Sequence, residues 1–139
     1  YSGSGYSICI LADGWHRLTP MDGWNDATVD GSPVLNGKPV EVWESTEDIF
    51  ARLYVAHLGA MTLKEAQDWA IGAAGSSFAL IESKQGDMSG TDSAGNQDWT
   101  AAFHGSDTER FAVIKTYPVA QTEHLGYALN AMADTFTVQ

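Results

Sequence analysis

Ser45-Thr-Glu-Asp-Ile-Phe-Ala-Arg-Leu-Tyr-Val-Ala-His-Leu-Gly59 is the stretch on which the fold turns. Ser45, followed three residues later by Asp48, has the form of a helix-opening capping box. Ile49, Phe50, Leu53, Tyr54 and His57 then recur at helical spacing, and Gly59 stands where a helix ends in left-handed conformation. The stretch is expected to be a helix. A second helix follows. Thr62 with Glu65 makes a capping box, and Met61 and Ala66 are placed to form its hydrophobic staple. Leu63, Ala66, Trp69, Ala70 and Ala73 carry the apolar stripe until Gly72 weakens it and Gly75 stops it. The link between the two is short, which predicts an αα-hairpin.

Upstream, Ser32–Trp43 reads as a β-hairpin around Asn36–Gly37, because both central residues of a type I′ turn need positive φ. Pro33 and Pro39 lack a backbone donor and suggest edge strands. Val40 and Val42 face one way, Glu41 and Trp43 the other. Tyr6–Ala12 reads as a central strand, ended by Asp13–Gly14, and Trp15–Gly31 as a loop rich in turn dipeptides. Downstream, Phe78–Glu82 reads as a short buried strand and Lys84–Asp98 as a long polar loop. Trp99–His104 and Phe111–Val119 are strands joined through Gly105–Ser106–Asp107, and Ala120–Phe136 is a last helix with Leu125, Ala128, Leu129, Met132 and Phe136 on one stripe. The expected fold is α+β: a mostly antiparallel sheet of about five strands, with the αα-hairpin and the C-terminal helix packed on it. Residues 1–139 form one domain in this reading, with Tyr1–Gly5 a flexible lead-in.

Eighteen Asp and Glu against seven Lys and Arg give a net charge of -11, spread along the chain. Nucleic acid and anionic membrane surfaces need clustered basic residues, so neither is an expected partner. No apolar run approaches the ~20 residues that span a bilayer, and a cytoplasmic location is expected. Cys9 stands alone, so there is no thiolate metal cluster, and its neighbours Ile8, Ile10 and Leu11 suggest a buried, inert thiol.

Five Trp is many for this length, and three of them lie in or beside Asp/Gly-rich loops: Trp15, Trp24 and Trp99. A Trp in a wet loop offers a large apolar area and one donor, so these are the candidate binding residues. Asp26-Ala-Thr-Val-Asp30-Gly31 echoes the start of a calcium loop, but Gly37 stands where the bidentate Glu belongs. Asp87, Asp92, Asn96 and Asp98 follow no standard metal spacing, and they are also ordinary turn residues. Of the four histidines, none has the i, i+4 spacing of a zinc pair, and His57 reads as a packing residue. His16 and His104, if they met Asp13 or Asp98 in space, would supply acid–base chemistry near neutral pH. Gly72-Ala-Ala-Gly75 lacks the Lys of a phosphate loop. No metal site and no cofactor is implied.

The expectation is a small acidic binding or accessory protein without catalysis, engaging a basic protein surface or a small ligand through loop aromatics. Two alternatives stand beside it. One is a cofactor-free enzyme with His and Asp acid–base groups in a pocket. The other is a structural homo-oligomer, with a homodimer formed along the Ser32–Trp43 edge. The position of the histidines and tryptophans relative to the largest cavity separates the first two.

Overall fold

The computed structural model describes residues 1–19, 28–29 and 32–139. Its strands are β1 (Ser2–Gly3), β2 (Tyr6–Ser7), β3 (Trp15–Leu18), β4 (Thr28–Val29), β5 (Ser32–Leu35), β6 (Lys38–Ser45) and β7 (Arg52–Gly59). After helix α1 (Leu63–Ala74) come β8 (Phe78–Glu82), β9 (Met88–Asp92), β10 (Gln97–Ser106) and β11 (Glu109–Pro118), then α2 (Tyr127–Ala133) and β12 (Thr137–Val138).

The stretch Ser45–Gly59 is not a helix. Arg52–Gly59 is a strand in the middle of the main sheet, paired antiparallel with β6 on one side and β11 on the other. Its neighbours explain the helical look. Leu53 and Val55 pack into one core with Phe111, Val113, Leu129 and Met132, while Ala56 and Leu58 pack into a second with Val42, Trp69 and Ile114. A strand buried on both faces is a continuous apolar run, which periodicity cannot tell from a buried helix. The capping signal had a local use of its own. Asp48 Oδ1 accepts the Phe50 N–H at 2.9 Å and Ser45 Oγ accepts the Glu47 N–H at 3.1 Å, so both residues cap the β6–β7 turn. Short polar side chains bond the backbone two residues on as readily in a turn as in a helix start.

The main sheet runs β4-β5-β6-β7-β11-β10-β9-β8, antiparallel at every pairing, with β3 lying along the same edge of β6 as β5. The architecture is thus mostly β, with one α-helix on each face of a larger sheet, and not an αα-hairpin on about five strands. α1 follows the expected reading. Thr62 Oγ1 accepts the Glu65 N–H at 3.1 Å while Glu65 Oε1 accepts the Thr62 N–H at 3.0 Å, and Gly75 ends the helix at φ 81°. The Asn36–Gly37 turn also holds, with φ 44° and 79°. It does more than reverse the chain. Asn36 Nδ2 donates to the Trp69 carbonyl at 3.0 Å, and the Trp69 indole N–H donates to the Asn36 carbonyl at 2.9 Å. The turn is thereby tied to α1, and Gly72 leaves room for it: a Cβ there would sit 2.7 Å from Asn36 Nδ2. β6 itself is interior, paired on both sides, so this hairpin does not present it as an edge.

Other expectations are corrected. In Tyr6–Ala12 only Tyr6–Ser7 is strand, in a separate three-stranded ribbon β1-β2-β12 laid over the face that α2 covers. Alternate residues reach the core, Tyr6 and Ile8 buried in it and Ile10 packed partly buried against it, and Cys9 is exposed rather than buried, its N–H donating to Thr135 Oγ1 at 2.8 Å. Tyr1–Gly5 joins this ribbon: the Tyr1 ammonium donates to the Ile8 carbonyl at 2.8 Å, and its ring stands edge-on to Trp43. Trp15–Leu18 is strand, not loop. Lys84–Asp98 contains β9, whose Met-Ser-Gly-Thr-Asp has no apolar alternation to betray it. Gly90 serves close packing, since a Cβ there would collide with the Ala79 carbonyl of β8. β8 is an exposed edge strand, not a buried one. The last helix begins with irregular turns over 119–126 before α2, and Leu125, Leu129, Met132 and Phe136 do face the core.

Leu53→Ala should cost about 2–5 kcal/mol, as for a fully buried strand residue, and Thr62→Ala about 0.5–2 kcal/mol for the lost cap. Chemical denaturation of the two variants checks both, and an unchanged midpoint for Leu53→Ala would contradict its place at the sheet centre.

Candidate functional site

A cavity of about 490 Å³ opens on the α1 face of the sheet where α1 no longer covers it. Its wall is aromatic: Phe50 from the β6–β7 turn, Tyr54 from β7, Phe78 from β8 and Trp99 from β10. The Phe78 and Trp99 rings lie 6.5 Å apart at 48°. The β6–β7 turn forms the rim. Ile49 and Phe50 stand out from it at 62 % and 63 % exposure, high for large apolar side chains. The rim is held in place from below, because the Phe50 carbonyl accepts from Gln97 Nε2 at 2.8 Å and from Thr116 Oγ1 at 3.4 Å.

The polar groups of the wall are largely committed to one another. Arg52 donates through Nε and Nη2 to Glu44 Oε2, both at 2.9 Å, so its charge is balanced across the β6–β7 pair. Asp92 Oδ1 accepts the Asn96 and Gln97 N–H groups at 2.7 and 3.2 Å and closes the β9–β10 turn. What remains for a ligand is aromatic and aliphatic surface, the composition of a small-molecule cleft.

The structure distributes the candidate residues unevenly. Trp99 lines this cavity, although it lies in a strand and is only 4 % exposed. Trp15 is buried in the opposite core with Trp43. Trp24 lies outside the described residues, as does most of Asp26–Gly31. His16 is exposed on β3, opposite Glu44, and His104 is on β10. Four strand spacings separate them, roughly 19 Å. Asp13 is exposed in a bend, and Asp98 is six residues along β10 from His104, about 20 Å away. These four do not converge. His104 instead packs its ring 4.6 Å from Phe136, and burial lowers its basicity, with the Asp87 charge opposing. Asp87 accepts the Phe103 N–H, so it too has a structural task. Among the described residues no three His, Cys, Asp or Glu side chains gather as metal ligands would.

One pairing escaped sequence reading. His57 Nε2 lies 2.7 and 2.9 Å from the two oxygens of Glu41, and both line a hollow of about 280 Å³ with Ser4 and Arg17. Reading 52–59 as a strand would have exposed it, since Glu41 and His57 then fall on the same face of neighbouring strands. The Tyr6 ring rests 5.6 Å from His57, and burial together with the Glu41 charge pushes its phenol far up, so it stays protonated. The chain matches no protein-family model and no curated protein sequence.

Because Trp99 is buried as well as cavity-lining, Trp99→Ala should lower stability by about 3–5 kcal/mol. Thermal melting measures this; a near-native melting temperature would mean that the ring serves the cavity alone.

Proposed function

We propose that this is a small acidic binding protein whose working site is the aromatic cleft, and that its ligand is a small, neutral, largely apolar molecule with an aromatic body. The observation that carries the reading is the meeting of Trp99, Tyr54, Phe78 and the exposed Phe50 in one cavity of about 490 Å³. Exposed apolar side chains at the mouth of a concave site are costly to leave in water and are covered when a ligand enters. The pairing of Arg52 with Glu44 and the net charge of -11 both disfavour an anionic ligand. No helix among the described residues is long and apolar enough to cross a membrane. The dispersed basic residues likewise argue against nucleic acid as the partner.

The aromatic cleft contains one of the expected tryptophans and neither His16 nor His104, which favours a binder over an acid–base enzyme at this site. The test is a titration with 1-naphthol as a neutral aromatic probe, followed by ¹H–¹⁵N spectra. Shifts should gather at Phe50, Phe78, Gln97 and the Trp99 indole N–H. Phe50→Ala should weaken binding roughly tenfold, the equivalent of about 1.4 kcal/mol of lost apolar contact. Its melting temperature should stay close to that of the parent, because the ring is mostly exposed. No shifts at the cleft, or equal affinity in Phe50→Ala, would overturn the proposal.

A further inference from the structure

On the opposite face of the sheet, beyond α2, lies a separate cavity of about 300 Å³. Lys115 of β11 lines it, together with His104, Phe136 and the carboxylates Asp87 and Asp134. We propose that Lys115 is a reactive amine that captures a small, neutral aldehyde as an imine in this cavity.

The geometry is unusual for a lysine. Most lysines keep the ammonium in water or against a carboxylate, as Lys64 does, with Nζ exposed and 2.9 Å from Asp68. Lys115 is half-buried on the strand that pairs with the sheet centre, and in a solvent-exposed contact its Nζ donates to Asn130 Oδ1 at 2.6 Å. That acceptor is a neutral amide. Among the described residues no carboxylate oxygen lies within ion-pair distance of this nitrogen. Desolvation disfavours the charged form, and burial does lower the basicity of Lys115, with the charges of Asp134 and Asp87 opposing at longer range. A less basic amine carries its free lone pair in a larger share of molecules than an ordinary lysine does, which is the direction in which lysines become nucleophiles toward carbonyl carbon.

The chemistry needs nothing beyond the two reactants. The Nζ lone pair adds to the aldehyde carbon to give a carbinolamine. Loss of water then carries away the former carbonyl oxygen with two protons that came from nitrogen, and a C=N bond remains. Asn130 orients the amine through its hydrogen bond. At the far end the rings of His104 and Phe136, 4.6 Å apart, make an apolar wall for the body of the substrate. Lys115 and His104 stand on neighbouring strands, with Lys115 opposite Thr100 and His104 four residues further along. Their backbones are therefore about 14 Å apart, which leaves room for a small molecule between the side chains. Asp87 and Asp134 repel a carboxylated aldehyde and so select a neutral one.

The experiment uses the intact chain, incubated at neutral pH with benzaldehyde and cyanoborohydride. The reductant converts each imine to a stable secondary amine, and peptide mass spectrometry then follows Lys38, Lys64, Lys84 and Lys115 separately. Lys115 should be labelled at least tenfold faster than Lys64, and the preference should vanish in urea. Glyoxylate, an anionic aldehyde, should show no such preference. Equal labelling of Lys115 and Lys64 in the folded protein overturns the proposal. Equal selectivity for glyoxylate overturns its choice of substrate. Binding of naphthol at the aromatic cleft is measured independently, so failure at one site leaves the other standing.

Discussion

The pairing of β7 with β11 is the constraint on which the rest of the structure depends. The register runs from Arg52 opposite Thr116 to Gly59 opposite Arg110, and it sets Leu53 and Val55 beside Val113 on one face and Ala56 beside Ala112 on the other. Neither face can meet water. One must be covered by α1 and the other by α2 and the N-terminal ribbon, and the two cores are the result. The connections between elements are fastened accordingly. Arg110, itself buried, bonds Asp107 at 2.7 Å and the Met61 carbonyl at 3.2 Å, which locks the β10–β11 turn against the link between β7 and α1.

The cavities follow from the same arrangement. Eight strands side by side span roughly 34 Å, whereas α1 with its 12 residues is about 18 Å long and α2 with 7 about 10 Å. Two short helices cannot roof such a sheet. The uncovered margins are where the aromatic cleft and the Lys115 cavity lie, on opposite faces of the sheet, the first lined in part by residues that follow α1 and the second by residues at the C-terminal end of α2. A further open groove runs over β8, β9 and β10, past Ile81 and Thr100. Sites at such margins have a rigid sheet for a floor and side chains from loops for a rim, a division that favours ligand binding.

Where the sequence was legible, a single local interaction decided the outcome. Thr62 with Glu65 and Asn36 with Gly37 each define a backbone conformation within four residues, and both hold in the structure. Where it was not, the deciding interaction was distant. Nothing near Val55 says that Val113 will lie beside it, so a doubly buried strand looks helical. β9 carries almost no apolar signal and exists because β8 and β10 pair with it. The site shows the same division. Trp99 stands out in the sequence because it lies beside an Asp/Gly-rich loop, and it does line the aromatic cleft, but as part of a strand and largely buried. The His57–Glu41 and Lys115–Asn130 contacts join residues 16 and 15 positions apart, and became visible only with the register.

The charge of the chain can now be placed. Arg52, Arg110 and Lys64 each sit against a carboxylate, and Arg17 lies over the Tyr1 ring with its guanidinium carbon 4.9 Å from the centroid. The basic groups are thus mostly engaged within the fold, while many acidic ones face solvent. The outer field is negative, and an anion approaching either cavity meets it before any favourable contact. In the aromatic cleft Arg52 and Asp92 are already bonded within the protein, which leaves aromatic and aliphatic surface on its wall. A neutral ligand escapes the repulsion and still gains that burial. On the proposed reading, the acidity that sets this chain apart in composition filters what enters the cleft, while the binding energy comes from the aromatic and aliphatic wall that α1 leaves open.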